Sequence, residues 1–536
     1  MATIKVDCSK RVSELKRIWA SIGFDEINWA YTPRGKEILK ILGGIIERPS
    51  YIRNHNALTS GNGLSYPAWG STNVYSEDQN DNPVYDFTIL DQVYDVYIAN
   101  GFKPLIELDF MPKDLVRESE EHYVVYEHGW AYPPKDYKKW EELIYQVVKH
   151  CVERYGRYEV ESWYWEIWNE PDISYWKGTF EEFCMLYDYG VAGATRALPT
   201  IKIGGPAVTS PDRGNGGKFL DDFLNHCVNG KNYVDGRKGT KIDFISFHTK
   251  GGFYINYIKG ARNTPSMKIM MQDIKRGLDI IAKYPQLCNC KVFVDECDPD
   301  VGTIYGVYDN PNFINRNTEY YPTFLCCMVK KILDLSRNHQ RGVDLITTWA
   351  FYFEGKRHFE GNRTLFTNDN IEKPIVNAFR MFSKMGDAQI FLESDKANNP
   401  LSETWEYDID GLATIKADNS IQIMIWNHHD EWWREGIQEI NIEVLNLPFG
   451  DNPFALKEYR IDKEHSNSYT EWVRQGMPQD PSPSQVARIK EKQGSELVGP
   501  VRKYLPKNGK FNFRFNLPLH GVSLFELEPI GYSNDI

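Results

Sequence analysis

The sequence predicts an α/β fold: a (β/α)8 TIM barrel with an accessory C-terminal β-sandwich domain. Three observations predict it. Up to about Phe382, short apolar strands alternate with helical segments of a dozen or more residues, the pattern of βα units on a parallel sheet. Eight such strands can be counted, enough to close a barrel. Beyond Phe382 the pattern changes to short alternating strands separated by turn-rich segments, as in a sandwich of two sheets.

In chain order the expected barrel strands are "IGFDEINWAY", "YIRNHN", "PLIELDF", "WYWEIWNE", "IKIGGPAV", "IDFISFHT", "KVFVDECD" and "LITTWAFY". Between them lie helical stretches such as "ILDQVYDVYIANG", "KKWEELIYQVVKHCVERYG" and "MKIMMQDIKRGLDIIAKY". Residues 1–382 are thus assigned to the barrel, with the N-terminal "ATIKVDC" able to supply a strand to the other domain. Residues 383–536 are assigned to the sandwich, on "LATIKADNSIQIMIWNHH", "IQEINIEVLNL" and "KFNFRFNLPLHGVSLFELEP". Within that domain the region 462–502, rich in Pro, Ser, Gln and charge, reads as a long surface insertion.

A length of 536 residues exceeds one ordinary core. The formal net charge of −12 argues against nucleic acid and anionic membrane as partners, since both are bound through basic patches. Apolar runs such as "LITTWAFYF" fall short of the roughly 20 residues that cross a bilayer, so a soluble protein is expected. No secretory leader is legible at the start, which leaves the compartment open between cytoplasm and an exported protein without its leader. Aromatic residues reach 14%, with 15 Trp and 32 Tyr, a surplus suited to stacking on sugar faces. The nine cysteines show neither paired zinc spacing nor a disulfide framework. No metal and no cofactor are expected.

Several strands begin apolar and end on polar or ionisable residues: Asn54 and His55, Asp109, Asn169 and Glu170, His248, Asp295 and Glu296. Strand C-terminal ends carry the active site of such a barrel, so these ends converge. Glu170 and Glu296, closing the fourth and seventh strands, form the pair that glycosidic hydrolysis needs. One carboxylic acid protonates the leaving oxygen, and one carboxylate attacks or activates water. On this reading Glu170 is the general acid/base, its proton held by aromatic surroundings, and Asn169 donates to a sugar hydroxyl. The plainer reading makes "NEP" a strand-to-loop turn. For Glu296 the plainer readings are a solvated acidic loop, or a cation site with Asp295, Asp298 and Asp300. His248 is a substrate or nucleophile contact, or a structural histidine. Lys250 can bind a sugar carboxylate as a point charge, or be an exposed loop lysine. Trp349 is a stacking floor or a barrel-layer residue, and Arg363 a pocket residue or an exposed ion-pair partner.

The segments "DNPVYDFTILDQVYD", "GFKPLIELDFMP", "WYWEIWNEPD", "DFISFHTKG", "VFVDECDP", "YRIDKEHSNSYTEWVRQGMPQDPS" and "LPLHGVSLFELEP" resemble, nearly end to end, the family 39 glycoside hydrolases, the β-xylosidases and α-L-iduronidases. The resemblance implies a barrel with an accessory sandwich, acting by double displacement with retention. It places Glu170 on the acid/base and Glu296 on the nucleophile, with Asn169, His55, His248 and Trp349 lining the terminal-sugar subsite, and implies neither metal nor organic cofactor. "VDECDPDVG" and "FHTKGG" look closer to the iduronidase branch, with Lys250 at its lysine for the uronate carboxylate and Arg363 near its second basic contact. The expected activity is release of a terminal sugar from an oligosaccharide or polysaccharide, β-xylosidase-like. A uronide-specific glycosidase is the alternative within that chemistry, and a non-catalytic carbohydrate-binding protein the alternative from another class.

Overall fold

The computed structural model describes residues 1–61, 70–117, 131–252, 264–302, 305–349, 355–402 and 407–530. All eight expected barrel strands are present in one parallel sheet, neighbours following chain order: Ser21–Phe24, Ser50–Asn54, Phe102–Leu108, Tyr164–Ile167, Ile203–Val208, Phe244–Lys250, Lys291–Asp298, and a last strand in two pieces, Leu345–Ile346 and Thr348–Trp349. Those two pieces close the barrel. Leu345 and Ile346 pair with Phe293 and Val294, while Thr348 and Trp349 pair with Ile22 and Gly23. Position 23 has no room for a side chain, because a Cβ there would lie 2.2 Å from the Trp349 ring.

The outer helices form because their apolar residues recur at helical spacing and their ends are capped. In Tyr137–Tyr155, the buried Trp140, Leu143, Ile144, Val147, Val148 and Cys151 make one inward face, and the Asp136 carboxylate accepts the free N–H groups of Lys138 and Lys139. In Phe180–Ala197, Thr179 and Glu182 cap one another's backbone reciprocally.

The barrel interior is layered. Leu105, Phe244, Phe293 and Leu345, with Tyr51 and Tyr164 against them, form an apolar plug. These residues come from six strands, so only the barrel lumen brings them together. Further along the same strands toward their C-terminal ends come Arg53, Glu107, Glu166 and Asp295, all with no exposure. The plug and the charged layer together form the floor under the site.

The second domain is built on a single ten-stranded sheet. Its first strand is Ala2–Glu14, which lies between Ala388–Ser394, antiparallel, and Ile437–Leu445, parallel. The N-terminal residues therefore belong to this sheet. It curls so that Ile4, Ile390, Ile423, Ile440, Phe454 and Phe525 share one core. The barrel helix Tyr320–Asn338 docks against it through Lys331, buried between Asp408 at 2.8 Å and Asp410 at 2.9 Å.

The stretch 462–502 is more ordered than its composition predicts. It contains helices Ser468–Arg474 and Pro483–Glu491, which bury Trp472 and Ile489 against Phe359 and Ile371 of the barrel. Two apolar anchors and a Ser482–Gln485 capping box outweigh an otherwise polar composition. All nine cysteines are free thiols. Among the described residues, no helix is long and apolar enough to cross a membrane.

Candidate active site

Backbone irregularities at two strand ends determine which side chains reach the mouth. Side chains alternate along a regular strand, so two consecutive residues cannot both face one site. After Tyr164–Ile167, Trp168 and Glu170 adopt positive φ, 71° and 45°, which breaks the alternation. Left-handed residues of this kind cost on the order of 1–3 kcal/mol each and persist where the surroundings hold them. Here the Glu170 N–H donates to the Ala207 carbonyl at 2.9 Å and the Trp168 indole to the Tyr175 carbonyl at 3.1 Å. In the seventh strand the pairing register slips between Val294 and Glu296. Asp295 is the extra residue of that bulge, and both it and Glu296 are buried in the mouth.

The two glutamates come together. Glu170, His248 and Glu296 present atoms that all lie within 4.8 Å of one another. Glu296 is 3.3 Å from Arg53, 3.4 Å from His55 and 2.9 Å from Lys250. Burial works against its ionisation, but Lys250 above all, with His55 and Arg53 beside it, holds its carboxyl well below the usual range. Glu170 goes the other way. Burial, and then the charge of Glu296, push it up to about 8.

His248 bridges the pair. Its Nε2 lies 3.3 Å from an Arg53 nitrogen, which can only donate, so Nε2 is the bare acceptor. Nδ1 therefore carries the proton and donates to Glu170 Oε1 at 2.9 Å. Burial holds the imidazole well below its ordinary value, which keeps it neutral. His55 is the opposite case: burial disfavours its charge, yet Glu107 at 2.6 Å and Asp25 at 3.2 Å raise it well above the ordinary value.

Every sequence-predicted site residue lies at this end of the barrel. Asn169 accepts from Arg53 at 3.1 Å through Oδ1, and its buried Nδ2 has no hydrogen-bond partner among the described residues. Lys250 is buried and binds both Glu296 and Asp298. Arg363 is buried too and reaches the pair through Asp298, one contact further out. Trp349 is 1% exposed, its ring 4.6 Å from that of His55 and 5.0 Å from the Arg53 guanidinium. It is a packed wall of the site. Asp298 and Asp300 hold resident cations, Asp298 taking Lys250 and Arg363, and Asp300 taking Arg316 at 2.6 Å.

The sequence reading missed Arg53, whose guanidinium also meets Glu107 at 2.5 Å and Glu166 at 2.9 Å. A signal was present: an arginine inside "YIRNHN", two residues before His55 and hence on its face of the strand. The triads His55–Glu107–Asp109 and Glu170–His248–Glu296 have metal-like spacing. In the first, His55, held charged, and Arg53 supply compensating positive charge, and in the second Lys250 does.

A closed (β/α)8 barrel with two glutamates facing one another at its mouth is the arrangement that glycoside hydrolases use. The chain belongs to the glycosyl hydrolases family 39, whose sequence profile matches residues 2–508. It is 26% identical over 498 residues to a β-xylosidase of Geobacillus stearothermophilus, covering 90% of this chain and 86% of that one. It is 23% identical over 488 residues to the α-L-iduronidase of Mus musculus, covering 82% and 68%. The solved structure of a bacterial orthologue of human α-L-iduronidase superposes with a TM-score of 0.79 at 21% identity, covering 99% of this chain and 84% of that one.

Proposed function

We propose that this enzyme is a retaining exo-glycosidase of β-xylosidase type, with Glu296 as nucleophile and Glu170 as acid/base. The observation that carries the reading is the pair itself. One oxygen of each carboxylate lies within 4.8 Å of the other, compatible with the roughly 5–5.5 Å carboxyl separation of double displacement and short of the roughly 6.5 Å or more that leaves room for an inverting water. The two groups are also pushed apart in acidity, Glu170 to about 8 and Glu296 well below its usual range, which supports Glu170 as the acid and Glu296 as the nucleophile.

In the first step Glu296 attacks the anomeric carbon while Glu170 protonates the departing oxygen. His248 holds Glu170 Oε1 through its Nδ1–H, which leaves Oε2 to carry the proton. Asn169 Nδ2 offers a donor to a sugar hydroxyl. Once Glu296 is esterified its charge is gone, so the raised pKa of Glu170 falls toward normal. Glu170 can then take a proton from the water that releases the sugar.

The test is an aryl glycoside screen with the native enzyme, Glu296→Ala and Glu170→Ala, with the anomer of the first product followed by NMR. Turnover surviving both substitutions would sink the roles, and an inverted first product would sink the mechanism.

One observation favours a second reading, a uronide substrate. The buried Arg363 Nε has no hydrogen-bond partner among the described residues and belongs to the same group as Lys250 and Asp298. A sugar carboxylate would supply the missing acceptor. A carbohydrate-binding protein without catalysis, the alternative of another class, leaves the opposed acidities of the two glutamates unexplained.

A further inference from the structure

The turn at residues 430–436 joins two strands of the second domain, Ile421–His429 and Ile437–Leu445, yet it sits on the barrel. Asp430 Oδ2 accepts the Met267 N–H at 3.2 Å, and its carbonyl accepts the Tyr320 hydroxyl at 2.7 Å as well as the Thr264 hydroxyl. Met267 and Tyr320 open the helices that follow the sixth and seventh barrel strands. Helix N-termini of a βα barrel lie at the C-terminal ends of its strands. The turn therefore occupies the catalytic rim, beside the strands that carry Lys250 and Glu296.

It is also braced. The Glu431 N–H donates to His429 Nδ1 at 2.9 Å, His520 Nε2 lies 3.2 Å from the Glu431 carbonyl, and Arg434 donates to the Tyr407 hydroxyl at 3.1 Å. On this fixed turn stand Trp432 and Trp433, both half-buried, with ring centroids 5.4 Å apart and planes at 84°. Trp432 packs against the barrel core. Two large indoles held at right angles on a rigid rim suit the C–H face of a pyranose, to which they offer area at little entropic cost.

We propose that Trp432 and Trp433 form an outer subsite for the leaving group, stacking a xylose unit of an oligosaccharide beyond the bond that is cut. This rests on the xylosidase reading above. In an exo-acting enzyme the terminal sugar fills the deep subsite, so a sugar held on the rim belongs to the leaving group. The second domain would then contribute directly to substrate choice.

The experiment compares kcat/KM for xylotetraose with that for 4-nitrophenyl β-xyloside in the native enzyme, Trp432→Ala, Trp433→Ala and Trp433→Phe. The ratio of the two values should fall about fivefold in each alanine variant, mainly through KM for xylotetraose, and recover most of that loss in Trp433→Phe, which keeps a stacking ring. A ratio unaltered in both alanine variants overturns the subsite, as does a native enzyme that cleaves the aryl xyloside but not xylotetraose. An unaltered ratio with equal losses on both substrates marks a structural role and overturns it too. A native enzyme inactive on both substrates overturns the xylosidase reading and the subsite with it, an outcome distinct from the others.

Discussion

Arg53 donates to Nε2 of His248 across 3.3 Å and thereby places the imidazole proton on Nδ1, facing Glu170. The same guanidinium lies 3.3 Å from Glu296, 3.1 Å from Asn169 and 2.9 Å from Glu166. One planar cation thus orients the contacts of both glutamates. A lysine carries the charge but not the planar fork. Arg53→Lys should lower kcat/KM by about 10²-fold, the scale of an ångström-sized misplacement of reacting groups. Arg53→Ala leaves Glu107, Glu166 and Asp295 without their shared cation, and should destabilise the enzyme by about 3–5 kcal/mol. Denaturant unfolding beside aryl glycoside kinetics checks both, and an Arg53→Lys enzyme of native activity would contradict this role.

The opposed acidities give a pH profile. Glu170 must hold its proton and has been raised to about 8, so kcat/KM should hold to about pH 8 and fall above it. Glu296 must be ionised and lies well below its usual range, so the acid limb should appear below the ordinary glutamate value of about 4.3. Part of the rise at Glu170 comes from the Glu296 charge. In Glu296→Gln the carboxyl resonance of Glu170 should therefore titrate lower than in the native enzyme, as read by carbon NMR of labelled glutamate. A titration that stays put would show that burial alone raises it.

The eight barrel strands were legible because each is a short apolar run ending on polar residues, a pattern local to the sequence. Glu170 and Glu296 were legible for the same reason, standing at the ends of such runs. The part played by Arg53 was not, because it depends on which strands close around it: Glu107, Glu166 and Glu296 come from three other strands. Lys250 could be placed near the pocket, but its ion pairs with Glu296 and Asp298 depend on the register of the sixth strand against the seventh, where His248 pairs with Glu296 and Lys250 with Asp298. The order in 462–502 was hidden by its composition. Trp472 and Ile489 are its buried anchors, and their partners Phe359 and Ile371 lie more than a hundred residues away in sequence.

Lys250 and Arg363 should behave differently when removed. Lys250 is the leading charge that keeps Glu296 ionised. Lys250→Met should raise the acid limb toward neutrality and slow xyloside and uronide substrates alike. Arg363 touches Asp298 rather than either glutamate. Arg363→Gln should spare an aryl xyloside relative to an aryl uronide if the enzyme recognises a sugar carboxylate. Equal losses on the two substrates in Arg363→Gln would remove the case for a uronide. A Lys250→Met enzyme with an unshifted acid limb would show that Arg53 and His55 suffice to hold Glu296.

Lys373 offers a test of stability in the loop that carries Arg363. It is 1% exposed, its ammonium reaches the Asn362 carbonyl at 3.0 Å, and burial, reinforced by the charge of Arg316, pushes it down to about 7 from an ordinary 10.5. The folded value lies below the unfolded one. Between about pH 7 and 10.5 the unfolded chain therefore holds a proton that the folded chain has shed, and stability rises with pH. The penalty is full below about pH 7 and vanishes above about 10.5, with a slope of at most about 1.4 kcal/mol per pH unit. Lys373→Met removes the titration at similar volume. It should raise the melting temperature near pH 7, and its advantage over the native enzyme should shrink steadily toward pH 10. A variant that melts below the native enzyme at pH 7 and matches it at pH 10 would show that the charged ammonium and its bond to Asn362 stabilise the loop.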